Sequence, residues 1–301
     1  MIDAAPELHR GSLRLTARAA GDGELVLLLH GFPDTPCTWH AQLPALAAAG
    51  YRAVAPWLRG YEPASQAAGG DYTLHTLASD VVAWLDVLGA PRAHLIGHDW
   101  GASIAYAAAA LAPERFHSLT TLAVPHPRRF AVNWTRMPRQ VIQSRYILYF
   151  QLPALPERRL RARNGAWLTL LWRRWSPGWQ PPESAMAQMR HAFAQPGVIP
   201  AALAYYRQAM QASAESARLM EAIINVPALA IGGTADRCVD PRMFRLCLND
   251  ADFSGGLQVA QIERAGHFPH MEQAEAVNDL ILRHLAAHGS RTVEKRRAVP
   301  G

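Results

Sequence analysis

The stretch "AHLIGHDWGA" (93–102) decides how the rest of the chain is read. The run "AHLI" has the character of a short buried strand. The small-residue segment "ASIAYAAAALAP" (102–113) reads as a helix. Between them Gly97, Gly101 and Ala102 keep side chains small around Asp99. A strand that turns straight into a helix needs such residues, because the turn is tight and the helix packs closely. Asp99 then has two readings. It can cap the helix beginning near Trp100, as Asp often does. It can also be a carboxylate held up on the turn for chemistry.

Working outward, strands and helices alternate. "LHRGSLRLTARAAGDGELVLLLHG" reads as three strands joined by turns. The last, "LVLLLH", is apolar on both faces, as a central strand covered on both sides should be. "HAQLPALAAAG" (40–50) reads as a helix stopped by Gly50. "YRAVAP" (51–56), "RAHLIG" (92–97) and "SLTTLAV" (118–124) read as strands, and "TLASDVVAWLDVLG" (76–89) as an amphipathic helix. The pattern predicts a mostly parallel, doubly covered α/β sheet.

From about Pro127 to Ala222 the β-like runs stop, and Trp-, Arg- and Tyr-rich helical stretches replace them. Alternation returns with "VPALAIGG" (226–233), "LQVAQIERAG" (257–266) and the helix "AVNDLILRHLAAHG" (276–289). The expected organisation is a core of residues 1–126 and 223–289 and a helical lid of 127–222. The lid should lie over the carboxyl ends of the strands, where α/β sheets bind ligands. Residues 290–301 read as a flexible basic tail.

Composition narrows the function. Half of the 301 residues are hydrophobic and 18% are charged, as in a globular enzyme. The formal charge of +6 comes from scattered arginines, with Lys295 the only lysine, and no RNA signature or Cys/His finger accompanies it. No nucleic-acid partner is expected. Cys37, Cys238 and Cys247 have neither a disulfide nor a zinc spacing. No apolar run reaches the roughly 18 residues of a membrane span, and the first residues lack a signal pattern. The expectation is a cytoplasmic monomer or homodimer. No metal, nucleotide or flavin motif appears, and "GGTAD" lacks the phosphate-loop and dinucleotide fingerprints, so no cofactor is expected.

Three more segments give Asp99 company. "HGFPDT" (30–35) follows the central strand, so amides near Phe32 can face the turn and, with that of Trp100, form an oxyanion hole. "GGTADRCVDP" (232–241) puts Asp236 or Asp240 after a late strand. "AGHFPHMEQ" (265–273) puts His267 after the last one. Singly, each is an ordinary loop residue. Together, in the order nucleophile, acid, histidine, they make a catalytic set.

"HGFPDT", "GHDWGA" and "AGHFPHMEQ" resemble the epoxide hydrolase branch of the α/β-hydrolase superfamily, over roughly Gly11 to His288. Haloalkane dehalogenases are close relatives. The resemblance implies Asp99 as nucleophile, His267 as base and Asp236 as the orienting acid, with Asp240 the weaker candidate. A carboxylate is ionised at neutral pH and needs no base before it attacks saturated carbon. The resulting ester would be hydrolysed by water that His267 activates, with Asp236 holding the imidazole.

Halide leaves as a stable anion, whereas an epoxide oxygen leaves as a strongly basic alkoxide and needs an acid, for which tyrosine is suited. "RYILYFQLP" (145–153) and "AYYRQAM" (204–210) resemble the segments that carry the ring-opening tyrosines of epoxide hydrolases. That implies Tyr146 and Tyr206, with Tyr149 and Tyr205 as neighbours in another register. The expected activity is conversion of hydrophobic epoxides to vicinal diols. Trp100, Phe32, Phe150 and Phe268 are expected in an aromatic cavity wall with the lid tryptophans. A dehalogenase using the same Asp99 is the alternative, since Trp100 could hold a halide. A binding-only protein of the same fold is the further one.

Overall fold

The computed structural model describes residues 6–290. Among the described residues there are nine strands: β1 (Leu8–Arg10), β2 (Leu13–Leu15), β3 (Ala17–Ala20), β4 (Glu24–Leu29), β5 (Tyr51–Pro56), β6 (Ala93–His98), β7 (Phe116–Leu122), β8 (Ala228–Gly233) and β9 (Leu257–Ile262). β1 and β2 pair as a separate antiparallel ribbon. The other seven form one sheet in the order β3-β5-β4-β6-β7-β8-β9. Only β3 runs antiparallel to its neighbour. This is the mostly parallel sheet expected from the alternation, in the α/β-hydrolase arrangement that the resemblance implies.

β4 shows why the sheet is covered twice. Leu25, Leu27 and Leu29 join one core cluster, and Val26 and Leu28 join another. Successive strand side chains point to opposite faces, so "LVLLL" supplies both layers. The second layer is closed by Leu43 and Leu46 of the helix Gln42–Ala48 and by Val277, Ile281 and Leu285 of the helix Ala274–His288. The first is closed by the helices Leu74–Val87 and Trp100–Leu111. The former starts at Leu74, two residues earlier than expected, because Thr73 accepts a bond from the Thr76 amide.

Between β7 and β8 every regular element is helical, from Pro127 to Glu221. The segment Leu155–Trp175 is two helices, broken at Ala162–Gly165, where three consecutive residues have positive φ. Phe150, Trp172, Tyr205 and Tyr206 from these helices share a core cluster with the first face of the sheet. The Trp172 indole donates to the Pro33 carbonyl at 2.7 Å, and the Tyr205 hydroxyl to that of Arg59 at 2.7 Å. Both acceptors lie in loops that follow strands, β4 and β5, at their carboxyl ends. Among the described residues no helix is long and apolar enough to cross a membrane, and the three cysteines are free thiols. Ser290 bonds Glu24 at 2.6 Å, and the rest of the expected tail lies outside the described residues.

Candidate active site

Asp99 occupies the turn between β6 and the helix Trp100–Leu111 with φ 53° and ψ −118°. L-residues rarely adopt this conformation, and it persists only where the surroundings enforce it. Glycines make room for it. A Cβ on Gly101 would lie 2.1 Å from the Leu29 carbonyl oxygen, and one on Gly31 would lie 2.4 Å from the Asp99 Cβ. The Asp99 side chain makes no capping bond to the helix, which removes the capping reading. Instead Oδ1 accepts the Phe32 amide at 2.8 Å, and Oδ2 lies 3.2 Å from Nε2 of His267.

His267 follows β9 and is fully buried. Its amide donates to Ser176 Oγ at 2.9 Å, and that hydroxyl donates to Glu272, so the histidine loop is tied to the helical insertion. Nδ1 lies 2.9 Å from Asp236 Oδ2. The other Asp236 oxygen accepts the amides of Cys238 at 2.7 Å and Val239 at 3.1 Å. An ionised carboxylate can only accept, so Nδ1 carries a proton and Nε2 faces Asp99. Asp240 points elsewhere: it caps the helix Pro241–Leu246 through the Arg242 amide and faces Arg139 at 3.2 Å.

Burial alone would disfavour the imidazolium of His267. Cys238, Asp236 and Asp99 more than reverse this and hold its pKa well above the ordinary value. Burial likewise pushes Asp99 up, but the hydrogen bond and charge of His267 outweigh it and keep the carboxyl below its usual range. Each group thus favours the charged form of the other.

Tyr146 stands on the helix Arg145–Phe150 and Tyr206 on the helix Val198–Ala209, their ring centroids 5.9 Å apart. Both line a cavity of about 280 Å³ whose wall also holds Asp99, Trp100, Trp134 and Cys238. The Tyr206 hydroxyl is buried without a hydrogen-bond partner, and that of Tyr146 reaches only Cys238 Sγ, at 3.5 Å. Burial holds both phenols well above their ordinary pKa, so both are donors. Their sequence neighbours are committed elsewhere: Tyr205 to the Arg59 carbonyl and Tyr149 to that of Leu155 at 3.2 Å.

The expected aromatic wall needs correction. Phe32, Phe150 and Phe268 are fully buried and are not part of this wall. Phe32 packs edge-on against Phe150, Phe193 and Tyr206, so it supports Tyr206 from behind and offers the site only its amide. Phe268 packs on Trp172 and Trp179. These rings join the insertion to the sheet. Of the insertion's tryptophans, Trp134 lines the cavity, while Trp175 flanks His267 at 5.2 Å.

Some site residues escaped sequence reasoning. Cys238 has neither a disulfide nor a zinc spacing, yet the turn that positions Asp236 brings it to the wall. His98 donates Nε2–H to the His267 carbonyl at 2.8 Å. Its Nδ1, the Nδ1 of His270 and Oδ2 of Asp34 then face one another, buried and without hydrogen-bond partners. The "GHD" and "FPH" strings contain these histidines, but only the fold shows that they meet.

Known proteins resemble this chain in sequence and fold. The α/beta hydrolase fold family model matches residues 24–274. The AB hydrolase superfamily protein YfhM of Bacillus subtilis is 32% identical, over 91% of this chain and 94% of its own length. Epoxide hydrolase A of Mycobacterium tuberculosis is also 32% identical with the same coverage, 91% and 94%. The solved epoxide hydrolase from an endophytic Streptomyces superposes with a TM-score of 0.82 at 29% identity, over 94% of this chain and 95% of that one. This chain thus belongs to the α/β hydrolase fold family and is an α/β hydrolase of epoxide hydrolase type.

Proposed function

We propose that the chain converts apolar epoxides to vicinal diols through an ester on Asp99, within a core of residues 1–126 and 223–289 closed by a lid of 127–222. The observation that carries this is the pairing, in one cavity, of an ionised carboxylate with two protonated tyrosine hydroxyls. An Asp99 oxygen attacks an epoxide carbon and the ring C–O bond breaks. Tyr146 or Tyr206 gives its proton to the departing oxygen while the other phenol donates a hydrogen bond. The imidazolium of His267 returns a proton to the phenolate and becomes neutral.

Esterification removes the Asp99 charge that helped to hold the His267 proton, so the ring becomes a base when one is needed. His267 takes a proton from water, and the hydroxide adds to the Asp99 carbonyl carbon. The amides of Phe32 and Trp100 serve the oxyanion, as the 2.8 Å bond from Phe32 to Asp99 supports. Collapse breaks the ester and transfers one proton from the regenerated carboxyl to the diol. Carboxylate and imidazolium are restored, and the net reaction consumes one water.

One observation favours a second reading. The Trp134 indole N–H lies on the wall, buried and without a hydrogen-bond partner, and with Trp100 it could hold a halide released from an alkyl halide by the same Asp99. The deciding measurement is diol formation from styrene-type and aliphatic epoxides by the wild type beside Asp99→Ala. Diol from the wild type alone supports the hydrolase. No diol but halide release from bromoalkanes supports the second reading, and neither product leaves a binding protein.

A further inference from the structure

Cys238 is a wall residue that the proposed hydrolysis leaves idle. The Asp236 turn fixes it, since its amide donates to Asp236 Oδ1 at 2.7 Å. Its Sγ, a ring nitrogen of His267 and a carboxylate oxygen of Asp99 all lie within 4.8 Å of one another, and all three residues are buried. Asp99 Oδ2 and His267 Nε2 are 3.2 Å apart. Two ligands on one tetrahedral ion, with bonds near 2.0–2.1 Å, are about 3.3 Å apart. The Asp–His pair therefore already has the spacing of two metal ligands. Sγ needs only a modest approach to become the third.

The donor set names the ion. Thiolate, imidazole and carboxylate together suit a borderline-soft cation and not magnesium or calcium, which take oxygen ligands. Asp236 behind Nδ1 of His267 is the kind of carboxylate that orients a ligating imidazole. The fourth position of a tetrahedral ion would face the cavity.

We infer that Asp99, Cys238 and His267 form an inhibitory binding site for a thiophilic divalent cation, Zn²⁺ or Cd²⁺. The ion binds the thiolate of Cys238 and the free lone pair of His267 Nε2, and the protons these atoms carried pass to solvent. The ion bonds the Asp99 oxygen that would attack carbon and occupies the nitrogen that would activate water. The inhibition, though not the binding, rests on the proposed hydrolysis.

The test is a titration of the full chain with Cd²⁺, read by thiolate-to-cadmium ultraviolet absorption and by proton release. One equivalent should saturate the band, with release of protons to solvent. Cys238→Ala and Cys238→Ser, with folding checked by circular dichroism, should lose the band although Cys37 and Cys247 remain. His267→Gln should weaken binding at least ten-fold. Wild-type epoxide turnover should fall in step with occupancy and return on chelation. A band that survives in both Cys238 variants, or no binding by the wild type, overturns the site. Binding with these signatures but no epoxide turnover by the metal-free protein keeps the site and overturns the hydrolysis. Turnover unaffected at full occupancy keeps the hydrolysis and overturns the inhibition.

Discussion

Nε2 of His267 stands 3.2 Å from Oδ2 of Asp99, and the charge on each holds the charge on the other. Ester formation cancels one partner, so the two chemical steps respond differently to pH. Alkylation needs ionised Asp99, whose pKa is held low, and should persist into acid. Ester hydrolysis needs neutral His267 and should slow as pH falls. Rapid mixing with epoxide should show more ester, detected as added mass on the protein, at pH 5.5 than at pH 8 (about these values, either side of the ordinary imidazole pKa). Equal ester at both would remove His267 as the base.

The two phenols should share the load in ring opening. Tyr146→Phe and Tyr206→Phe should each lower the alkylation rate roughly 10–100-fold, and the double substitution by more than either. Any halide release from a bromoalkane should change little, because halide needs no proton. A double variant that opens epoxides at the parent rate would reassign both residues.

Asp236→Asn removes the charge behind the imidazole and leaves an amide that can present N–H to Nδ1, favouring the wrong tautomer. Ester hydrolysis should fall roughly 10²–10⁴-fold while the ester still forms. Steady-state diol production alongside intact-protein mass distinguishes this from loss of the whole site. Asp240→Asn, at the cap of the helix Pro241–Leu246, should leave ester hydrolysis near the parent rate.

Gly101→Ala would place a methyl group 2.1 Å from the Leu29 carbonyl oxygen, where backbone must move. A loss of about 1–3 kcal/mol or more is expected from the forced shift, with Asp99 displaced as well. Chemical denaturation and turnover should fall together. An unchanged midpoint would mean that the strand and helix have more slack than their contact suggests.

Burial lowers His30 to about 4, His98 to about 3 and His284 to about 4. Below the ordinary value near 6.5 the unfolded chain binds protons that the folded chain refuses, so stability falls as pH drops towards 4. Each ring contributes at most about 1.4 kcal/mol per pH unit in that window. Asp34 and His267 hold protons in the folded state and act in the opposite sense near neutrality, so denaturation midpoints should descend between about pH 6 and 5, where the three rings outnumber them, and a flat series there would contradict the buried neutral rings.

The sheet was legible because its strands are buried on both faces, and a run such as "LVLLL" has few other uses. Asp99 and His267 were legible because glycine spacing and chain order constrain them jointly. The cavity wall was less so. Tyr205 and Tyr206 are adjacent on one helix, and sequence does not fix the phase that turns one hydroxyl to the Arg59 carbonyl and the other to the cavity. Phe32 and Phe268 neighbour reacting groups in sequence, but a loop can turn a ring inward while offering only its backbone to the site. Cys238 had no spacing partner, since its neighbours in space come from distant segments.

The meeting of Asp34, His98 and His270 alters the proton inventory of the molecule. Nε2–H of His98 goes to a carbonyl, and Nε2 of His270 lies 2.6 Å from the Thr38 hydroxyl. Nδ1 of both rings and Oδ2 of Asp34 are left facing one another. Burial raises Asp34 to about 8, so near neutrality a proton resides there, where free aspartate would have none. Asp236 and Asp99 hold His267 towards its charged form as well. Both shifts move the charge of the folded chain in the positive direction from its formal +6. Its electrophoretic mobility is therefore a property of the fold as well as of the composition.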